Sequence, residues 1–382
     1  PAETGPTAAP AAARPSAGSL ALWIALAATA SILLLAATSR ITQEVAVIPF
    51  LWVLPLTIYL LSFILAFSGE RWYSRQFYLL LFFAATLLYG WLLLAGETMD
   101  IAAQIGIYAC ILFAACMVCH GELYRLRPPA GRLTLFYLMV SVGGALGGLL
   151  INFVAPFVFQ GYWEMPLGLL LGWLLFFLVT IVRKAEIRSR WVFVGNNVLM
   201  LVAVIVAAFL AAEYVRADLS GSLFSERNFY GVVRVREAGA EEAPDRYSLV
   251  HGITLHGMQY MDAGRRDEPT MYFSETSGAG VALLNYPRDE DGLRVGVLGL
   301  GIGTLASYGR PGDTFRFYEI NPAVIDLAQG QGGYFSFLED SSAHHAAVHV
   351  FIVQLCPGLD DGSHSGAAGY QSVPGICLGP AD

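Results

Sequence analysis

Apolar and polar positions are distributed very unevenly along the chain. From residue 19 to 212, seven long apolar stretches follow one another, at about 19–38, 45–67, 76–96, 101–119, 133–157, 165–182 and 191–212. A helix rising 1.5 Å per residue needs about 20 such residues to cross a hydrocarbon layer about 30 Å thick. An open strand would leave its backbone groups unpaired in lipid, so helices are expected. The connectors are short and hold the charges: Glu70, Arg71 and Arg75, then Glu122, Arg125, Arg127 and Arg132, then Arg183, Lys184, Arg188 and Arg190. After residue 225 the texture changes. Ser225–Arg236 and Arg246–His251 alternate like strands, with glycines at 252 and 257 marking a tight turn. A helix-like run follows near 277–286.

Arg294–Leu300 then reads as a short apolar strand, Gly299-Leu-Gly301-Ile-Gly303 as a glycine turn, and Thr304–Tyr308 as the start of a helix stopped by Gly309, Pro311 and Gly312. Thr314–Ile320 is a second strand, with Glu319 placed 20 residues after Gly299. Asn321-Pro322 opens another helix, with proline in its first turn.

Composition agrees with this division. The chain of 382 residues is 56% hydrophobic and 14% charged, with a mean hydropathy of +0.57. A soluble domain carries about 25% charged residues. These values exclude a disordered protein, a single soluble globule and a basic nucleic-acid binder. Residues 1–212 hold 11 Lys+Arg against 8 Asp+Glu, and residues 213–382 hold 11 against 22. The expected organisation is therefore a flexible Ala/Pro linker over 1–18 and a transmembrane domain of about seven helices over 19–212. A small antiparallel β-domain follows over 213–290, then the start of a Rossmann-like domain over 291–340 and an irregular tail over 341–382. No basic segment precedes a short apolar core, so no signal peptide is read.

Three features of the apolar half invite attention. Gly143, Gly144, Gly147 and Gly148 form two overlapping small-xxx-small pairs, suited to close helix packing or a substrate path. Pro49 and Pro55 are expected to kink the second span or simply to be tolerated there. Cys116-Met-Val-Cys119-His120 has the letters of a c-type haem attachment site, although it ends an apolar span on the Arg-rich side; buried thiols and an interfacial histidine are the alternative. The five cysteines do not form a disulfide framework, and no metal site is expected.

The strand–glycine loop–helix–strand unit with a spaced acid is the chemically informative element. Glycines let the backbone approach a ligand, and the acid accepts hydrogen bonds from two vicinal ribose hydroxyls. A dinucleotide fingerprint needs a third glycine where this chain has Thr304, so G-x-G-x-G suits a nucleoside without pyrophosphate. A glycine turn with no ligand is the alternative.

The chain resembles the spermidine synthase (aminopropyltransferase) family, and more closely its bacterial membrane-fused members. The resemblance rests on Asn228-Phe-Tyr-Gly-Val-Val-Arg-Val, His251-Gly-Ile-Thr-Leu-His-Gly-Met-Gln259, Glu268-Pro-Thr-Met-Tyr272, Gly299–Gly303 with Tyr318-Glu319-Ile-Asn-Pro, and Ile41–Pro55 in the apolar half. It implies a bacterial inner-membrane, multi-pass protein with an adenosylmethionine-type Rossmann domain. The implied reaction transfers an aminopropyl group from decarboxylated S-adenosylmethionine to a small amine, with lipid and no nucleic acid as surroundings. By resemblance, Gln259 and Tyr272 face the ligand, Gly299, Gly301 and Gly303 cradle its aminopropyl-sulfonium end, and Glu319 holds the ribose. His256 either neighbours the ligand or satisfies turn carbonyls.

Two departures are expected to impair the activity. The loop position where soluble members carry an acid is Ile302. The pattern that should supply a catalytic aspartate is lost after Asp340, leaving one strand near Val348–Val353 and the unsupported pair Asp360 and Asp361, as if truncated or frame-shifted. A transporter-like or sensing membrane protein with a vestigial nucleoside domain is the alternative. Charge also sets a conflict. The N-terminal tail and the even-numbered connectors carry 10 Lys+Arg and the odd-numbered ones only Arg40. The positive-inside rule then puts the acidic half outside, away from cytoplasmic adenosylmethionine.

Overall fold

A computed structural model describes residues 15–45, 48–95, 99–182, 190–240, 243–252, 254–288, 292–349, 371–373 and 376–380. The chain divides into two compact units, Pro1–Asp218 and Leu219–Asp382.

The first unit is helical. Its elements are α1 (Ala17–Ser39), α2 (Val53–Phe67), α3 (Arg75–Ala95), α4 (Ile101–Arg125), α5 (Leu133–Leu149), the short α6 (Ala155–Val158), α7 (Glu164–Val182) and α8 (Arg190–Ser220). Six helical stretches among the described residues are long and apolar enough to cross a membrane. The span expected over 45–67 differs. A π-helical turn occupies Arg40–Val45, Phe50 takes φ +66°, and a regular helix begins only at Val53. Pro49 lacks an N–H and restricts the residue before it, while Pro55 lies in the first turn of α2, where a missing N–H costs little. The 15 residues of α2 measure about 22 Å.

Side-chain contacts fix the direction of each helix. Trp23 donates to the carbonyl of Leu126 and Arg40 to the hydroxyl of Tyr108, so α1 and α4 are antiparallel. Arg75, opening α3, meets Glu122, ending α4. Tyr59 and Phe63 meet the ring of His120, and Phe67 meets Tyr124, so α2 runs parallel to α4. Gly143 lies on Ile24 and Gly147 on Ala28, so α5 is parallel to α1. Gly168 meets Leu33 and Gly172 approaches Thr29, which makes α7 antiparallel to α1. Gln76 pairs with Asn196, and Gly90 faces Leu210, so α8 is parallel to α3. The seven segments therefore alternate strictly in direction, α2 included.

The buried carboxylate of Glu122 and the buried ring of His120 in this unit are both paired. Glu122 accepts from Arg75 Nε at 2.8 Å, from a second Arg75 nitrogen and from the Tyr73 hydroxyl at 2.7 Å. Such pairing offsets the large desolvation cost of an interior charge. Ser62 donates its one proton to the carbonyl of Tyr59, so the 3.0 Å contact between Ser62 Oγ and His120 must use Nδ1–H as donor. Cys116 and Cys119 are buried free thiols beside it. Among the described residues no three His, Cys, Asp or Glu side chains form a metal-binding group.

The second unit carries two sheets. The first is an antiparallel meander of β1 (Phe224–Asn228), β2 (Gly231–Ala240), β3 (Ala243–His251) and β4 (Thr254–Tyr260). The helix α9 (Gly278–Asn285) leads to the second, of β5 (Leu293–Leu298), β6 (Thr314–Glu319), β7 (His344–His349), β8 (Gln371–Val373) and β9 (Ile376–Pro380), in spatial order β7-β6-β5-β9-β8. The strands β5, β6 and β7 are parallel, and β9 joins β5 antiparallel. On β5 and β6, Val295, Val297, Phe315 and Phe317 point into the core while Arg294 and Arg316 point out, the period-2 pattern of a sheet with one buried face. α10 (Pro322–Ala328) connects β6 to β7.

The unit differs from expectation in two places. The segment Thr304–Tyr308 is a 3-10 turn of five residues and not a regular helix, because Gly309, Pro311 and Gly312 stop it at once. Within 341–382, expected to be irregular after one strand, the described backbone forms three strands, and the first starts at His344 rather than near Val348. Asp360 and Asp361 lie outside the described residues.

Candidate nucleoside site

The parallel pair β5 and β6 ends at the glycine loop. Gly299, Gly301 and Gly303 take φ of +90°, +55° and +84°, left-handed values that favour glycine. A Cβ on Gly301 would sit 3.0 Å from the carbonyl oxygen of His256, so the loop lies directly against β4. Glu319 ends β6 beside the loop, as its spacing from Gly299 implied. Its Oε2 accepts from the Leu300 N–H at 3.0 Å, and its Oε1 accepts from the N–H groups of Ile320 and Asn321, both at 2.9 Å. A carboxylate has about four lone-pair sites. Three are used, which leaves one, on Oε2, open to a ligand hydroxyl.

The meander contributes His256, and does so through an irregularity. Leu249 pairs with Gly257, and the next residue, Val250, pairs with Leu255. His256 is therefore the extra residue of a β-bulge, a device that re-aims a side chain and recurs beside functional sites. Its imidazole has no hydrogen-bond partner among the described residues. The His251 ring lies 5.7 Å away, and its Nε2 donates to the carbonyl of Tyr230 at 2.8 Å. Burial, reinforced by His251 and opposed by Glu319, holds His256 below the ordinary histidine range. The hydroxyl of Tyr272 donates to the His256 carbonyl at 3.1 Å, and burial raises its pKa. The Asn321 side chain caps α10 by accepting from Ala323 N–H, and also accepts from Asn228 at the tip of the β1–β2 hairpin.

The structure thus brings Gly299, Gly301, Gly303, Glu319, Tyr272 and His256 together. Gln259 is placed otherwise. Its amide nitrogen donates to the carbonyl of Arg266 and to Ser336 Oγ, and its oxygen accepts from the Ser336 N–H, all at 2.9 Å. Ser336 in turn donates to Asp340, which also pairs with Arg266. Gln259 clamps β4 to the 331–340 segment and has no donor left for a ligand. Ile302 is buried, and its side chain covers Gly257: a Cβ there would lie 2.6 Å from Ile302 Cγ1.

Sequence reasoning did not identify the bulge, although a glycine inside a strand, here Gly257, is its usual signal. Nor did it identify the Asn228–Asn321 link or Ser336, which sit in no periodic pattern. No family model, curated protein or solved structure matches the chain.

Proposed function

We propose that the chain is a membrane-tethered, spermidine synthase-like protein of the bacterial inner membrane whose second unit binds an adenosyl thioether at the glycine loop. The observation that carries this reading is the loop itself: three left-handed glycines closing a parallel strand, joined through Leu300 to a carboxylate that ends the neighbouring strand. The ancestral reaction on this reading is transfer of an aminopropyl group from decarboxylated S-adenosylmethionine to an amine, and it is impaired here. Calorimetric titration with methylthioadenosine tests the site. Glu319→Ala should weaken binding by about tenfold to a hundredfold, the worth of a hydrogen bond to a charged group. Unchanged affinity would remove Glu319 from the site.

A second reading, a non-enzymatic sensor or transporter-like protein, is favoured by the burial of Ile302 and the engagement of Gln259. Ile302 offers a cationic amine no acceptor, and Gln259 is already bonded through its amide nitrogen and its oxygen to Arg266 and Ser336. Topology bears on the choice. The strict alternation of helix directions supports seven crossings, with α2 short. The helix ends bearing Arg75, Arg125 and Arg190 then share one side, which the positive-inside rule makes cytoplasmic, and α8 ends on the other. A periplasm-dependent reporter fused after Arg236 should be active; activity only of a cytoplasmic reporter would reverse the orientation.

A further inference from the structure

The glycine loop is rich in donors and poor in acid. Its two side chains, Leu300 and Ile302, are apolar and buried. Of its backbone N–H groups, Gly299 is used by the carbonyl of Tyr318, Leu300 by Glu319 and Gly303 by the carbonyl of Leu300. The N–H groups of Gly301 and Ile302 meet no acceptor among the described residues. Left-handed glycines alternating with ordinary residues form backbone concavities that bind anions. The bulge sets the His256 carbonyl against Gly301, and the His256 imidazole, which interacts with Glu319, is a third potential donor. The carboxylate that reaches this loop, Glu319, already accepts from three backbone N–H groups. An ammonium group would find only the last Glu319 lone pair, the one the ribose takes on the reading above, whereas a carboxylate would find two unmatched N–H donors.

The geometry points to an adenosyl thioether that carries an α-amino-acid carboxylate, with that carboxylate held by the Gly301 and Ile302 N–H groups. This inference rests on the nucleoside reading above and narrows it, because it favours the carboxylated ligand over the decarboxylated one.

The test needs no variant, so misfolding cannot confuse it. The full chain in lipid nanodiscs is titrated calorimetrically with four probes: S-adenosylhomocysteine, S-adenosyl-3-thiopropylamine, methylthioadenosine and AMP. The first should bind at least about tenfold more tightly than methylthioadenosine, the effect of one or two charge-assisted hydrogen bonds. The thiopropylamine should bind no better than methylthioadenosine. Equal or tighter binding of the thiopropylamine than of S-adenosylhomocysteine would overturn the inference while leaving the nucleoside site in place. Tighter binding of AMP would assign the loop to phosphate instead and overturn it too. No binding of any probe would remove both readings.

Discussion

The four glycines of α5 divide sharply by what lies opposite them. A Cβ on Gly143 would stand 2.4 Å from the carbonyl oxygen of Ile24 and 2.8 Å from the Cβ of Ala27. On Gly147 it would stand 2.5 Å from the oxygen of Ala28 and 2.9 Å from the Cβ of Ser31. On Gly144 and Gly148 it would meet nothing within 4 Å. The obstacle at 143 and 147 is the α1 backbone, which cannot rotate away as a side chain can. Either substitution to alanine must push the two helices apart, at a cost of about 1–3 kcal/mol for an overpacked interface. Gly144→Ala and Gly148→Ala remove flexible glycines from an uncrowded helix face and should be neutral or stabilising by up to ~1 kcal/mol. The double variant at 143 and 147 should cost less than the sum, since one displacement of α1 relieves both clashes. Reversible unfolding in detergent, followed by tryptophan fluorescence, measures all five proteins. Equal effects at the four positions, or greater damage at 144 and 148, would refute the assignment of one pair to the α1 interface.

Two further outcomes follow from the second unit. Asp313 is buried at the start of β6, where it accepts from the N–H groups of Leu293 and Arg310 and from Arg288 Nε at 3.1 Å. Asp313→Ala strands that guanidinium and should lower the unfolding free energy of the unit, read from urea denaturation, by about 3–5 kcal/mol, with Asp313→Asn losing less; a loss under ~1 kcal/mol would show the network is dispensable. His256, faced by His251, Glu319 and Tyr272, is held neutral by the fold, so the unfolded chain takes up its proton first as pH falls through about 6.5. Stability should therefore fall on acidification below that pH, and His256→Gln should flatten the slope between about pH 7 and 5; parallel slopes would exclude this residue as the cause.

The long helices were legible because a membrane span is encoded by local composition: about 20 apolar residues leave few alternatives. The exception, at 45–67, shows the limit. A hydropathy average over this stretch absorbs the single Pro49 among apolar neighbours, but the backbone leaves the helix there and resumes at Val53. The packing role of the glycines was partly legible. Spacing gave two small-xxx-small pairs, and only the neighbouring helix decides that Gly143 and Gly147 are the pair in contact.

In the site, Gly299–Gly303 and Glu319 were legible because turn chemistry and strand length are local. The cause of His256's placement and the bonding of Gln259 were not. His256 owes its place to a pairing offset between β3 and β4, and Gln259 owes its engagement to Ser336, 77 residues further along the chain. A resemblance supplies which residues stand at a position; it does not supply what each side chain has already been bonded to.

The contact between Ile302 and Gly257 constrains how this loop could change over time. An acid introduced at 302 would be buried against β4 with no counter-charge, in the space that Ile302 now fills over Gly257. A larger residue introduced first at 257 would strike Ile302. Neither single change gives a well-packed intermediate, so the two positions must be exchanged together or through a third, smaller residue at 302. A library varying 302 and 257 jointly should recover amine-holding loops that one-at-a-time mutagenesis misses.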